Sequence, residues 1–226
     1  MTVYLRQVAA IVRKDLLLEL RTGERLAAMG GLTVLIAILL HFAIDQGLVR
    51  MQQLAAGLLW MTILFGGMLG MGRTFEMERE GGAIQGLLTS PVPLDGIYLA
   101  KVVSNFVLVT AIEVVALAAY WLFFGFNYGN APLLLAAVLG VATLGFVAVT
   151  TLFSAISAQT NMGQTLLPIL IFPLLVPVVI FGVTATGRIF ASRPVREVEG
   201  GLYLLAAFTV VALTAGTILF RYVVEE

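Results

Sequence analysis

The 226-residue sequence has no cysteine, one histidine (His41) and two lysines (Lys14 and Lys101). Without cysteine there are no disulfides, thiolate metal sites or nucleophilic thiols, and the redox compartment stays open. Neither lysine follows a glycine, so the chain has no GxxxxGK[ST] phosphate loop, and any ATP-driven work must use a nucleotide site on another chain. Charge is scarce at 12% of residues, with 13 Lys and Arg against 13 Asp and Glu. There is no basic excess, zinc finger or RNA-binding signature to argue for a nucleic-acid partner. Ser/His/Asp constellations, carboxylate pairs and glycine-rich cofactor loops are absent too. The chain is therefore expected not to be an enzyme, and no metal site or bound cofactor is expected.

What is present is apolar: 60% of the residues are hydrophobic, more than a soluble surface tolerates. A helix crossing ~30 Å of hydrocarbon needs ~20 mostly apolar residues. Six segments approach or exceed that length: Leu26 to Ile44, Met51 to Met71, Val102 to Phe126, Ala131 to Ile156, Leu166 to Val183 and Leu202 to Val224. They lack the two-residue alternation of barrel strands. The fold class expected is an all-α polytopic membrane protein, one transmembrane permease domain over residues 1–226 with a connecting segment at 73–101. The first apolar run lacks a small-x-small cleavage pattern and is expected to remain as a span.

An even number of spans puts both termini on one side. That side carries Arg6, Arg13, Lys14, Arg21, Arg25, Arg73, Arg79, Lys101 and Arg221, while the opposite side carries Arg50, Arg188, Arg193 and Arg196. The excess of positive charge predicts cytoplasmic termini in the inner membrane. The first 25 residues precede the spans, and Leu5, Val8, Val12, Leu16 and Leu20 recur at helical spacing beside Arg6, Arg13, Lys14 and Arg21. This is an amphipathic helix either lying on the bilayer or packed on protein, ended by Thr22-Gly23.

Several polar or irregular residues within the spans are candidates for function. Glu113 is the one acidic residue well inside a span, where an ionisable group is costly enough to be a functional candidate. A neutral carboxyl bonded to a neighbouring helix, or facing a wet cleft, is the plainer reading. His41 could in principle ligate a metal or sense pH, but it has no second histidine or cysteine beside it and suits the membrane interface equally well. Pro168, Pro173 and Pro177 are expected to bend or break the fifth span, either to wrap it around its neighbours or to give it a mechanical role in lining a cleft that changes shape. Gly66 and Gly70 form a GxxxG step that permits a close helix contact, within the chain or between copies.

The segment Arg73 to Pro93 packs charge, glycine and proline between two apolar runs. Glu76, Glu78, Arg79 and Glu80 are followed by the amphipathic run Ala83 to Leu88 and by Ser90-Pro91, a composition suited to docking.

EMEREGGAIQGLLTSPVPLDGIYLAK, Glu76 to Lys101, resembles the loop between the second and third spans of the cytochrome c maturation permease family CcmB, or haem exporter protein B. LLPILIFPLLVPVVIFGV, Leu166 to Val183, resembles that family's proline-punctuated fifth span, and RKDLLLELR, Arg13 to Arg21, agrees as well. Gly82 and Gln85 depart from the pattern, standing where the family carries acidic residues. The resemblance implies an ABC transporter permease of the type II exporter fold, with a cytoplasmic coupling helix between spans two and three. It implies a second copy of the chain, an ATPase subunit (CcmA-like) that holds the ATP, and a haem-handling membrane protein (CcmC-like). Haem would be the cargo, moved by this subunit or carried by a chaperone that the ATPase cycle releases. The ATPase interface would comprise Glu76, Glu78, Arg79, Glu80, Gly81, Ala83, Ile84, Gly86, Leu87, Leu88, Ser90, Pro91 and Pro93. A permease for a lipid, glycan or drug, a gradient-driven secondary transporter, and an ATPase-anchoring scaffold are the alternatives.

Overall fold

The computed structural model describes residues 2–44, 51–75, 86, 91–126, 128, 131–159 and 163–225. Among them the regular elements are seven α-helices: α1 (Thr2–Thr22), α2 (Glu24–Ala43), α3 (Met51–Met71), α4 (Leu94–Phe124), α5 (Pro132–Gln159), α6 (Gly163–Phe190) and α7 (Val195–Glu225). The last six are long and apolar enough to cross a membrane.

α1 and α2 are separated at Gly23, whose φ of 65° lies in the left-handed region that glycine enters without steric cost. The buried Glu19 bridges the break. Its carbonyl accepts from Gly23 N–H at 2.7 Å, and its carboxylate accepts from Leu26 N–H at 2.9 Å, satisfying one of the unpaired donors in the first turn of α2.

Several helices begin or end beyond the apolar runs. α4 starts at Leu94 rather than Val102, and α7 at Val195 rather than Leu202. Helical hydrogen bonding continues through polar interfacial residues, and Asp95 and Glu197 in the first turns face the positive ends of the helix dipoles. The prolines of the fifth span do not break it: α6 is continuous from Gly163 to Phe190. Each proline removes one backbone donor, and the bonds on either side carry the helix through.

The helices form two packed groups, α2 with α3 and α4, and α5 with α6 and α7, joined through α3–α6 and α4–α5. Buried aromatic side chains with polar tips stitch them together. The Tyr120 hydroxyl lies 2.9 Å from Leu58 O and 2.7 Å from Thr62 Oγ1, tying α4 to α3. Tyr98 donates to Ala148 O on α5 at 2.9 Å and is seated on Gly216 of α7, where a Cβ would overlap its hydroxyl.

Candidate functional site: the polar junction at the entry to α4

Of the proposed ATPase interface, Glu76, Glu78, Arg79, Glu80, Gly81, Ala83, Ile84, Leu87, Leu88 and Ser90 lie outside the described residues. Gly86 is helical and exposed, and Pro91 and Pro93 are exposed at the entry to α4. Pro93 is extended (φ −59°, ψ 145°) and immediately precedes the first turn of α4.

α1 grips this entry. Gln7 Nε2 donates to Pro91 O at 3.2 Å, the Tyr4 hydroxyl donates to Asp95 Oδ2 at 2.9 Å, and the Tyr4 and Val8 side chains close over Gly96. Burial, and then the adjoining Asp95 carboxylate, hold the Tyr4 phenol above its usual pKa. One face of α1 is thus packed on protein, while Leu5, Leu17, Leu18 and Leu20 remain exposed.

A polar junction lies one layer deeper, where the helices meet the segment. Lys101 on α4 is 3% exposed and pairs with Asp15 of α1 at 3.1 Å. Its ammonium sits 5.4 Å from the centroid of the Phe75 ring, within cation–π range. One turn further along α4, Asn105 is 1% exposed. Its Nδ2 donates to Thr74 Oγ1 at 3.1 Å and to Thr151 Oγ1 at 3.0 Å, and its Oδ1 accepts from Arg25 at 3.0 Å. A buried charge or amide is tolerable only when partnered in this way.

Glu113 lies three turns beyond Lys101 on α4. Its carboxyl is 3% exposed and accepts a hydrogen bond from Thr143 on α5. It also lines a cavity of about 420 Å³ between α4 and α5, otherwise walled by apolar groups such as Phe106, Leu117 and Leu139, with Thr110 and Tyr128 as further polar residues. The Tyr128 hydroxyl donates to Leu117 O.

The remaining candidates are dispersed. Gly66 and Gly70 face α2: a Cβ at Gly70 would overlap Met29 Sδ, and one at Gly66 would overlap Thr33 Oγ1. This glycine step serves a contact within the chain. Pro173 is exposed and Pro177 partly so, while the Pro168 side chain lies outside the described residues. His41 lies 5.3 to 5.7 Å, centroid to centroid, from Phe42, Phe123 and Phe124. Among the described residues no three His, Cys, Asp or Glu side chains cluster as metal ligands would.

The comparisons with known proteins bear on the whole arrangement. The sequence profile described as CcmB protein matches residues 6–225. The chain belongs to the CcmB family. Heme exporter protein B of Bradyrhizobium diazoefficiens is 26% identical over 211 residues, covering 92% of this chain and 93% of that protein. The Pseudomonas aeruginosa protein of the same name is 31% identical over 165 residues, 73% of this chain and 72% of its own, and that of Escherichia coli K12 is 28% identical over 209 residues, 92% and 90%.

Reading this CcmB-family chain as a sequence singles out Glu113 and the glycine step but passes over Asp15, Thr74, Asn105 and Thr151. Lys101 is counted as a loop charge and as the end of the stretch that resembles the family, not as a buried partner of Asp15. The available signal was the i, i+4 spacing of Lys101 and Asn105, which puts a cation and an amide on one helix face.

Proposed function

We propose that the chain is the membrane permease subunit of an ABC transporter complex that handles or exports haem in c-type cytochrome biogenesis. The single observation that carries this is the family match along nearly the full chain, supported by six helices long enough to span a bilayer. The sequence holds no phosphate loop, so a separate ATPase subunit hydrolyses ATP and docks on the segment between α3 and α4. A second copy of the chain and a haem-handling membrane protein complete the assembly, with both termini in the cytoplasm.

The bundle suits this division of labour. The connection between α3 and α4 carries the charged, amphipathic stretch, and both of its described ends are anchored, by Thr74 on one side and by the α1 grip on Pro91 and Asp95 on the other. A load applied there reaches the helices through fixed contacts.

The test is deletion of the gene followed by a haem stain of c-type cytochromes. Loss of all of them, restored by the chain in trans, is the expected result. Normal cytochromes would overturn the reading in favour of a different cargo.

A further inference from the structure

A segment driven by an ATPase moves the two helices it is covalently joined to, α3 and α4. Any displacement of α1, α2 or α5 must be passed on through side chains. We propose that Asn105, supported by the Lys101–Asp15 pair, is the joint that hands this displacement to α2, α5 and α1. The inference rests on the permease reading above and adds named positioning residues to it.

Asn105 has one acceptor oxygen and two N–H donors that count here, and all three are used on different elements. Oδ1 receives Arg25 at the start of α2. The two amide bonds go to Thr74, just after α3, and to Thr151 near the end of α5. The orientation of the amide follows from chemistry, since a guanidinium only donates and the group facing Arg25 must be the carbonyl oxygen. Thr74 is fixed in the same way: its hydroxyl donates to Met71 O at 2.8 Å and so presents lone pairs to Asn105.

Thr74 is the second residue of the coupling segment, which begins at Arg73, and is followed by one more described residue, Phe75. A shift of that segment therefore acts on the hydroxyl that Asn105 holds. With Asn105 1% exposed and Thr151 fully buried, no water stands ready to replace a broken bond. Parting these groups would leave buried donors or acceptors unpaired, so the elements move together. Lys101, one turn back, does the same for α1 through Asp15 at 3.1 Å, and its Nζ also reaches Thr74 O at 3.5 Å. A buried ion pair contributes little net stability compared with a well-packed apolar substitute. If this cluster only filled space, apolar isosteres would serve.

The experiment uses the full chain with its ATPase partner in a strain lacking the native gene. It reads membrane level, co-purification of the ATPase, hydrolysis rate and haem-stained c-type cytochromes. Thr151→Val keeps the shape and removes one arm of the joint, Thr151→Ser keeps the hydroxyl, and Asn105→Leu removes all three arms. For Asn105→Leu and Thr151→Val, membrane level, co-purification and hydrolysis are expected to stay within about twofold of wild type while cytochromes fall about tenfold, the scale of coupling changes along contact networks. Thr151→Ser is expected to retain cytochromes.

If Asn105→Leu fails to insert, the Thr151 pair decides alone. Wild-type cytochromes with Thr151→Val would overturn the joint and leave the permease reading intact, as would a fall that merely follows membrane level. Failure of the wild-type chain to restore cytochromes would overturn the permease reading and the joint with it.

Discussion

Trp60 on α3 donates its indole N–H to Thr186 Oγ1 on α6 at 3.0 Å, across 126 residues of sequence, and its ring fills the space left by Gly182, where a Cβ would come within 2.9 Å of Cζ2. This contact joins the two helix groups and fixes the height of the proline-bearing helix. An indole that is both packed and bonded orients its partner more strictly than apolar contact alone.

Replacing Gly182 with alanine forces either the indole or α6 to shift. Overpacking of this kind costs about 1–3 kcal/mol. The expected outcome is a lower midpoint in thermal unfolding of the detergent-solubilised protein. Thr186→Val leaves the ring seated but the buried N–H unpaired, at a comparable cost of about 1–3 kcal/mol.

Gly70→Ala is expected to destabilise the contact between α2 and α3, because its Cβ would overlap Met29 Sδ. Combining it with Met29→Ala should recover part of the loss, giving a non-additive double-mutant cycle of about 0.5–3 kcal/mol. Strict additivity would mean that the two residues do not meet.

Glu113→Gln keeps an oxygen for the Thr143 hydroxyl and is expected to leave membrane level and cytochrome output within about twofold of wild type. Glu113→Leu leaves that buried hydroxyl unpaired, at a cost of about 1–3 kcal/mol. Comparing the stability and the output of the two variants checks whether the carboxyl acts as a hydrogen-bond acceptor or through its charge. Loss of cytochromes in Glu113→Gln at normal membrane level would assign it a role in transport.

Leu87→Asp with Leu88→Asp is expected to abolish co-purification of the ATPase subunit. In the docking proposed above, burial of two leucines would contribute about 3–6 kcal/mol, and two carboxylates in their place would oppose it. Retained binding would move the interface elsewhere.

The membrane architecture was legible in the sequence because each span is a long apolar run, a signal that needs no tertiary partner. The starts of α4 and α7 were not, because Asp95, Lys101, Glu197 and Glu199 read as loop charges while helical bonding passes through them. Gly66 and Gly70 announced a close contact, yet the partner residues Met29 and Thr33 carry no local mark. The polar junction stayed hidden for the same reason. Lys101 looks solvated until Asp15, on a different helix, is placed 3.1 Å away, and a lone asparagine in an apolar run says nothing of the Arg25 and Thr151 that complete it.

Tyr98 on α4 is bonded to Ala148 on α5, and its hydroxyl end occupies the place of a side chain at Gly216 on α7. In chain order α4 and α5 precede α7, so both parts of the knob are made before the helix that seats on it. α7 then has one register in which a bare backbone meets that knob, and a slip of a single residue brings Ala215 or Thr217 against it instead. The seventh helix is thereby held in register by the fourth, through one tyrosine and one glycine.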